Sequence, residues 1–348
     1  MLKKVSITNF KSIKRLEFET RRVNVFIGEP NTGKSNVLEA LAVFCEGVYA
    51  APEILRGVLR FVTLADLFYD RELTETVEVR LDELPWTLRF EKGTFKIEAP
   101  LVAQNGASIL PSRTPPSLSL NHSGSLASPP KTPSSTPGLA NPLFCNSLQA
   151  VHRLRYYRYQ SLPNFSRSEY GVLEPPHGAN LAAVLTTNKS LRRLVSDLFR
   201  ERGFRLIISP EKNELLLAKE VEDQLYQFSY PTVSETLRRI VFYMAVFETN
   251  QDAVLLLDEP EANTFPFYTT YLAERIALDE SNQFFLTTHN PYVLSSLVAK
   301  TPAKDLAVFV TTMPNYQTVL HPVGREGLSR ILEYGPDAFL NLERLLAP

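Results

Sequence analysis

A glycine-rich segment at residues 28–36, Gly-Glu-Pro-Asn-Thr-Gly-Lys-Ser-Asn, has the spacing of a phosphate-binding loop. In such a loop the backbone N–H groups point inward at phosphate oxygens, and the helix that follows adds its positive N-terminal end. Lys34 is expected to reach the β- and γ-phosphates of ATP, and the Ser35 hydroxyl to bind Mg²⁺. The other residues of this segment predicted to contact the nucleotide are Gly28, Asn31, Thr32, Gly33 and Asn36.

An acidic pair, Asp258 and Glu259, follows directly on the apolar run at 254–257. Such a run predicts a buried strand, whose end would bring both carboxylates to the phosphate-binding edge of a sheet. Asp258 is suited to hold Mg²⁺ directly or through water, and Glu259 to polarise the water that attacks the γ-phosphate. With Lys34, the pair predicts a site that binds and hydrolyses a nucleotide.

Two further polar residues stand at the ends of predicted elements. His289 follows the apolar strand 283–287, where its side chain is expected to sense or stabilise the γ-phosphate as part of catalysis. Ser234 opens a helix, and its hydroxyl and the free N–H groups beside it are expected to bind a phosphate held by another subunit. The simpler interpretation of each is a helix cap or a loop residue.

The hydrophobic pattern predicts the elements that position these residues. An alternation of helices and strands in the final third is typical of an α/β sheet with parallel strands in its core. Short antiparallel strands are predicted elsewhere, in two groups. The predicted strands are 5–8, 16–19, 23–27, 76–81, 86–91, 93–98, 151–159, 204–209, 213–219, 225–229, 253–257, 283–287, 305–311 and 317–321. The predicted helices are 35 to about 49, 53–68, two within 178–202, 234–248, 266–278 and 291–299.

Residues 104–142 interrupt this pattern with eight prolines, nine serines and only two charged residues. A segment so poor in apolar side chains cannot offset the entropy lost on ordering, so a disordered insertion is predicted. A proline-rich docking segment is the alternative. The chain is therefore expected to be one domain in three parts: an N-terminal lobe at 1–103, the insertion, and a C-terminal lobe at 143–348.

The composition is that of an ordinary globular protein, with 44% hydrophobic residues and a formal net charge of −1. A charge so close to zero argues against binding nucleic acid through bulk electrostatics. No apolar run is long enough for a membrane span, and no signal peptide is recognised. Two cysteines, Cys45 and Cys145, cannot form a disulfide framework and predict free thiols in the cytoplasm.

The four motifs and their order along the chain resemble those of the ABC-type ATPase heads of the SMC/RecF/OLD group. That order is the glycine-rich loop, the helix start at Ser234, the acidic pair and then His289. Stand-alone OLD-like AAA ATPases without a Toprim domain are the most similar subgroup. The resemblance covers about residues 1–100 and 150–300 and rests on five segments: Ile7–Ile13, Asn24–Asn36, Leu173–Leu181, Leu257–Glu261 and Thr287–Pro291.

The resemblance implies a P-loop NTPase fold of the ABC-ATPase type, with a mixed central sheet, an antiparallel β subdomain and a helical lobe. It also implies that two heads enclose two ATP molecules, with Ser234 acting on the ATP of the other copy. Two departures are visible. Ser234-Glu235-Thr236 lacks the glycine usual near that serine, which predicts slow hydrolysis, and residues 261–266 lack two usual histidines. The glutamine of the usual Q-loop has only Gln149 and Gln160 as candidates.

The sequence and the resemblance thus predict a Mg²⁺-dependent ATPase that dimerises around ATP and gates a separate effector protein or DNA. The setting that the resemblance suggests is anti-phage defence. One alternative is a RecF-like DNA-repair ATPase. Its support is the basic and aromatic run at 152–159 and an N-terminus with seven basic and two acidic side chains in 22 residues. A solvated strand with a packed aromatic face is the simpler interpretation of that run. The other alternative is an ATP-binding scaffold with negligible turnover.

Overall fold

The structure is a computed structural model that describes residues 1–45, 53–98, 117–120 and 153–346. Its strands are β1 (Lys4–Phe10), β2 (Ile13–Glu19), β3 (Val23–Gly28), β4 (Val77–Leu81), β5 (Leu84–Glu91), β6 (Thr94–Glu98), β7 (Ser117–Leu120), β8 (Leu154–Tyr157), β9 (Arg205–Ser209), β10 (Glu214–Val221), β11 (Gln224–Ser229), β12 (Val254–Asp258), β13 (Gln283–Thr287), β14 (Leu306–Thr312) and β15 (Val319–Pro322).

The α-helices are α1 (Lys34–Ala42), α2 (Glu53–Val58), α3 (Leu181–Thr187), α4 (Lys189–Arg200), α5 (Glu235–Thr249), α6 (Pro266–Leu278), α7 (Pro291–Lys300), α8 (Arg325–Tyr334) and α9 (Leu342–Leu345). Short 3₁₀ helices lie at Leu64–Leu67, Tyr69–Arg71, Pro210–Lys212, Tyr230–Thr232, Pro314–Tyr316 and Gly335–Asn341.

The central sheet has six strands in the order β15-β14-β3-β13-β12-β8. Five of them run parallel, and β15 pairs antiparallel with β14 at one edge. Strands β3, β12 and β13 are buried at every position, as expected for parallel strands covered on both faces. The strand that carries the glycine-rich loop is therefore held between two others.

Each face of the central sheet belongs to a different hydrophobic core. Successive strand residues point to opposite faces, so Phe26 packs with α1 and the N-terminal sheet, while Val25 and Ile27 pack with the later helices. Leu256 and Leu257 divide in the same way. The central sheet is thus the middle of three layers.

The N-terminal layer is an antiparallel sheet in the order β2-β1-β4-β5-β6-β7. Its inner face alternates with a solvated one, as the burial pattern of β2 shows. Trp86 on β5 is fully buried in the core that this sheet shares with α1. A third sheet, β11-β10-β9, lies beside the helices α3 and α4.

The predicted fold class is confirmed: the chain has the mixed α/β architecture of a P-loop NTPase of the ABC-ATPase type. The alternation in the final third gave helix 266–278 and strand 283–287 with the bounds that the structure has. The helix predicted at 53–68 is wrong in its second half, because α2 ends at Val58 and a separate 3₁₀ turn begins at Leu64.

Two further differences concern the insertion and the C-terminus. Within the predicted insertion, Ser117–Leu120 forms β7 and pairs antiparallel with β6, so these four residues are ordered as a strand, which sequence composition did not indicate. The rest of 104–142 lies outside the described residues, as does Cys145, and the prediction for them stays a prediction. Helices α8 and α9 were not predicted.

Candidate nucleotide site

The carboxyl ends of three parallel strands meet at one edge of the central sheet. Asp258 at the end of β12 pairs in register with Thr287 at the end of β13, and Gly28 at the end of β3 pairs with Thr311 of β14. Strand β13 lies between the glycine-rich loop and the acidic pair, an arrangement that the sequence alone did not predict. This edge brings most of the predicted site residues together.

The two glycines that frame the loop are required by its backbone. Gly28 has φ +151° and Gly33 has φ +90°, in the region that favours glycine. A Cβ atom on Gly28 would lie 2.3 Å from the Thr311 hydroxyl oxygen, and one on Gly33 would lie 2.0 Å from that of Thr318. Neither position can accept a side chain without moving the threonine behind it.

A chain of hydroxyl and amide groups holds the loop from behind. The Thr32 hydroxyl lies 2.6 Å from that of Thr311, and the Thr318 hydroxyl donates to the Thr32 carbonyl at 3.0 Å. The Ser12 hydroxyl lies 2.7 Å from that of Thr318 and accepts from the Asn36 amide at 2.7 Å. The side chains of Thr32 and Asn36 are thus engaged within the protein.

Asn31 stands at the exposed tip of the loop with φ +62°, a left-handed conformation that asparagine tolerates better than most residues. The structure gives its side chain no hydrogen bond within the described part of the chain. Its side chain lies on the open side of the loop, where a nucleotide would bind.

Lys34 belongs to the glycine-rich loop of residues 28–36, called the cradle from here on, and has 5% of its surface exposed. Its ammonium donates to the carbonyls of Gly28, at 3.0 Å, and Glu29, at 2.7 Å. Burial lowers the pKa of Lys34 to about 8, although the nearby carboxylates of Glu259 and Asp258 act to raise it. A cation that is short of water and close to two carboxylates is poised to bind phosphate oxygens.

Oxygen atoms converge where a divalent cation is predicted. The Ser35 hydroxyl donates to Asp258 Oδ1 at 3.0 Å, and the Thr287 hydroxyl donates to the same atom at 2.8 Å. The Thr287 hydroxyl also accepts from the backbone N–H of Glu259 at 3.0 Å. Hydroxyl and carboxylate oxygens are the ligands that Mg²⁺ takes, so this donor set fits the ion. The sequence analysis placed Thr287 only at the end of a strand, in the segment that carries His289, and predicted no ligand role for it.

The side chains of Glu259 and His289 lie next to each other at this edge of the sheet. His289 Nε2 lies 3.3 Å from Glu259 Oε1. Partial burial, with the charge of Lys34, lowers the pKa of His289 and so favours the neutral imidazole. Glu259 has φ +46°, a strained conformation for a residue with a side chain. The predicted base and the predicted switch histidine are therefore in contact.

Three charged residues that the sequence did not single out lie beside this edge. Glu39 on α1 is 1% exposed, and its carboxylate pairs with Lys11 and accepts from Arg60 Nε at 2.5 Å. Burial acts to lower the pKa of the Arg60 guanidinium, but Glu39 and Asp258 outweigh burial and raise it. Arg60 therefore lies within electrostatic reach of the predicted metal site.

Ser234 is the predicted site residue that the structure does not bring to the cradle. It is exposed at the start of α5, and its side chain makes no capping hydrogen bond. Gln160, one of the two Q-loop candidates, lies beside Tyr159 and Arg238 rather than at the loop of residues 28–36, and Gln149 is outside the described residues.

The described part of the basic and aromatic run, residues 153–159, contains β8, which lies at one edge of the central sheet. Tyr156 and Tyr157 on β8 are both buried, because the central sheet is covered on both faces. Arg153 pairs with Asp252 at 3.4 Å, and Arg155 donates to the Asn250 side chain at 2.6 Å. The structure thus shows a packed strand whose first two arginines have partners.

In the described part of the chain, no helix is long and apolar enough to cross a membrane.

A segment of this chain is 33% identical over 90 residues to the uncharacterized protein MJECL10 of Methanocaldococcus jannaschii. That segment covers 23% of this chain and 41% of the archaeal protein, so the match extends over less than half of the relative.

Two solved structures are similar to this chain. An SMC head bound to the C-winged helix domain of ScpA is similar with a TM-score of 0.50 and 14% identity, over 94% of this chain and 99% of that one. The SMC head domain of Thermotoga maritima is 15% identical with a TM-score of 0.40, over 93% of this chain and 99% of that one. At these identities the first likeness supports the fold.

A family model described as "AAA domain, putative AbiEii toxin, Type IV TA system" matches residues 23–295. The matched range contains both the glycine-rich loop and the acidic pair. Because the match extends over more than half of the chain, the protein belongs to this family of AAA-domain ATPases.

Proposed function

We propose that the chain is a Mg²⁺-dependent ATPase head that closes as a homodimer around two ATP molecules and opens after hydrolysis. The observation that carries the proposal is the continuous set of contacts from Ser35 through Asp258 and Thr287 to Glu259 and His289. A site that only held phosphate would not need a base oriented by a neutral imidazole.

In the proposed reaction the cradle binds the phosphates first. The ammonium of Lys34 exchanges the two loop carbonyls for phosphate oxygens, which also raises its pKa again because phosphate is strongly negative. Ser35 and Asp258 would hold a Mg²⁺ ion, which would neutralise negative charge on the phosphates.

The Glu259 carboxylate then accepts a proton from the attacking water as the water oxygen bonds to the γ-phosphorus. The bond from that phosphorus to the β–γ bridging oxygen breaks, and ADP and inorganic phosphate leave. In this proposal the imidazole of His289, whose Nε2 lies 3.3 Å from Glu259 Oε1, sets the direction in which the carboxylate faces. The neutral state of the imidazole leaves the charge of Glu259 in place, so that Glu259 remains a base.

The dimer part of the proposal rests on Ser234. A hydroxyl at the exposed start of α5, with no capping role in its own helix, is free to meet a phosphate bound by a second copy. The absence of a glycine at 234–236 keeps the prediction of slow turnover.

The closing and opening of the dimer would act on a separate effector protein. The family description names a putative toxin of a type IV toxin–antitoxin system, which supports a toxin-like or anti-phage setting for this chain. The similar SMC head binds a winged-helix domain, which supports a protein partner as the object of the movement.

The experiment is to measure molar mass by size-exclusion chromatography with light scattering, with and without ATP and Mg²⁺. We expect the wild type to be monomeric without nucleotide, and Glu259→Gln to accumulate as an ATP-bound dimer. Lys34→Ala is the matched control, since it removes the phosphate contact and leaves the base intact. A Glu259→Gln variant that binds ATP and stays monomeric would refute the dimer.

An ATP-binding scaffold with negligible turnover is distinguished by phosphate release. If the wild type dimerises with ATP and releases phosphate no faster than Glu259→Gln, the scaffold interpretation replaces the ATPase.

A further inference from the structure

Glu261 is a buried carboxyl that the proposed reaction does not use. It lies two residues after Glu259 and has 5% of its surface exposed. Its Oε1 atom accepts a hydrogen bond from the Thr288 hydroxyl at 2.5 Å and another from the backbone N–H of His289 at 3.3 Å. A burial this deep is rare for glutamate unless its oxygens have a specific task.

The second oxygen, Oε2, is buried and has no hydrogen-bond partner among the described residues. An ionised carboxylate with a bare buried oxygen is expensive, and the protein reduces the cost by favouring the neutral form. Burial raises the pKa of Glu261 to about 7, and the charge of Glu259 adds to this, while the bonds from Thr288 and His289 oppose it. The Oε1 atom of Glu261 can accept its two hydrogen bonds whether the carboxyl group is ionised or neutral.

The turn that Glu261 holds is the one that presents His289. The Thr288 hydroxyl also accepts from the backbone N–H of Asn290 at 3.0 Å, and the Asn290 side chain caps α7 by accepting from Tyr292 at 2.9 Å. The backbone at His289 is thus held on one side by Glu261 and on the other by the cap of α7.

The loop that carries Glu261 is also bound to the start of α5. The Thr236 hydroxyl donates to the Asn263 carbonyl at 3.0 Å, and the Asn263 amide lies 3.5 Å from Glu235 Oε1. Ser234 precedes both residues of the helix. A continuous path of contacts therefore runs from the helix start, through this loop, to the turn of His289.

We propose that Glu261 is a positioning residue, which sets the place of His289 against Glu259 and ties it to the first turn of α5. Its action is by hydrogen bonding through Oε1, so glutamine would perform it and alanine would not. The inference deepens the proposed ATPase and rests on it only where activity is the readout.

The first readout is independent of activity. With ¹³C-labelled histidine, the imidazole signal of His289 is recorded in the wild type, in Glu261→Ala and in Glu261→Gln, and is assigned through its loss in His289→Gln. We expect the signal to shift in Glu261→Ala and to keep its wild-type position in Glu261→Gln. An unchanged signal in Glu261→Ala would overturn the proposal, whether or not the protein hydrolyses ATP.

The second readout is steady-state kinetics. We expect kcat of Glu261→Ala to fall between about tenfold and 100-fold, as for a misplaced catalytic group, with KM unchanged because the cradle is intact. Glu261→Gln should restore kcat, and equal losses in the two variants would overturn the proposal.

Thr264→Val is the matched control, since it removes the bond from the Thr264 hydroxyl to the Glu261 carbonyl at 2.6 Å without touching the turn of His289. It should keep both the histidine signal and kcat. A Thr264→Val variant that reproduces the losses of Glu261→Ala would overturn the proposal by showing that loosening the loop is sufficient. A wild type without turnover refutes the ATPase alone, and the spectrum still decides the role of Glu261.

Discussion

The cradle of residues 28–36 and the start of α5 differ in how completely the chain itself builds them. The cradle is held by the hydroxyl groups of Thr311 on β14, of Thr318 just before β15, and of Ser12, and its lysine is buried. Ser234, by contrast, is exposed and makes no side-chain bond to its own helix. The difference indicates that the cradle is preorganised within one chain. In the proposed dimer, Ser234 acquires its partner only from a second copy.

The largest expected effect separates chemistry from binding in the preorganised half. Glu259→Gln should lower kcat by about 1,000-fold, because a general base typically contributes 10²–10⁴-fold. ATP affinity, measured with a fluorescent analogue, should stay within about threefold, since glutamine keeps the volume and the contact with His289. Undiminished phosphate release by this variant would remove Glu259 from the reaction.

The next effect tests the cradle itself. Lys34→Ala should weaken ATP binding by about 100-fold, which is the loss expected for charge-assisted hydrogen bonds worth about 3 kcal/mol. Isothermal titration calorimetry measures the affinity. Lys14→Ala is the control, because this lysine lies on the exposed outer face of β2 and should leave the affinity unchanged. An affinity that survives Lys34→Ala would mean that the loop does not hold phosphate.

A smaller effect is expected at the start of α5. Ser234→Ala should lower kcat by about tenfold, the loss expected for one hydrogen bond to a charged group. The melting temperature should barely change, because Ser234 makes no capping bond. A drop in stability typical of a lost N-cap, about 1 kcal/mol, would instead favour the structural interpretation of this serine.

Mixing two variants tests whether Lys34 of one chain and Ser234 of another act in the same site. In an equimolar mixture of Lys34→Ala and Ser234→Ala chains, each mixed dimer contains one site with both groups intact. Phosphate release should therefore exceed the mean of the two separate activities. A mixture that only reaches that mean would show that the two groups do not act across chains.

The smallest effect concerns β8, where the DNA-binding alternative had its support. Arg153 and Arg155 have partners in the chain, so the triple variant Arg153→Ala, Arg155→Ala, Arg158→Ala should change binding to duplex DNA at low salt by less than about threefold. Fluorescence anisotropy over a range of salt concentrations measures this. A strong loss of affinity with a flatter salt dependence would restore the DNA-binding interpretation.

Sequence pattern was most informative where one residue type has one physical use. The glycines at 28 and 33, the apolar run before Asp258 and the helix at 266–278 all follow from local rules of turn geometry and periodicity. The fold class could be predicted because the alternation of elements allows few sheet arrangements.

The pairings between distant segments could not be predicted in this way. Nothing local indicates that Thr311 and Thr318 brace Thr32, which lies 279 and 286 residues earlier, or that Glu261 binds Thr288. The run at 152–159 has the composition of a nucleic-acid surface, but burial on both faces of the sheet overrides that pattern. Tertiary contacts decide these roles, and a single sequence does not display them.

The bracing of the loop by Thr311 and Thr318 also bears on when the site first exists. Ribosomes make the chain from its N-terminus, so the loop of residues 28–36 emerges long before β14 and β15. Until those two strands have been made and paired, Thr32 lacks its two hydroxyl partners. The loop of residues 28–36 is therefore braced only after residue 318 has been made, so the site depends on a segment synthesised much later than the loop itself.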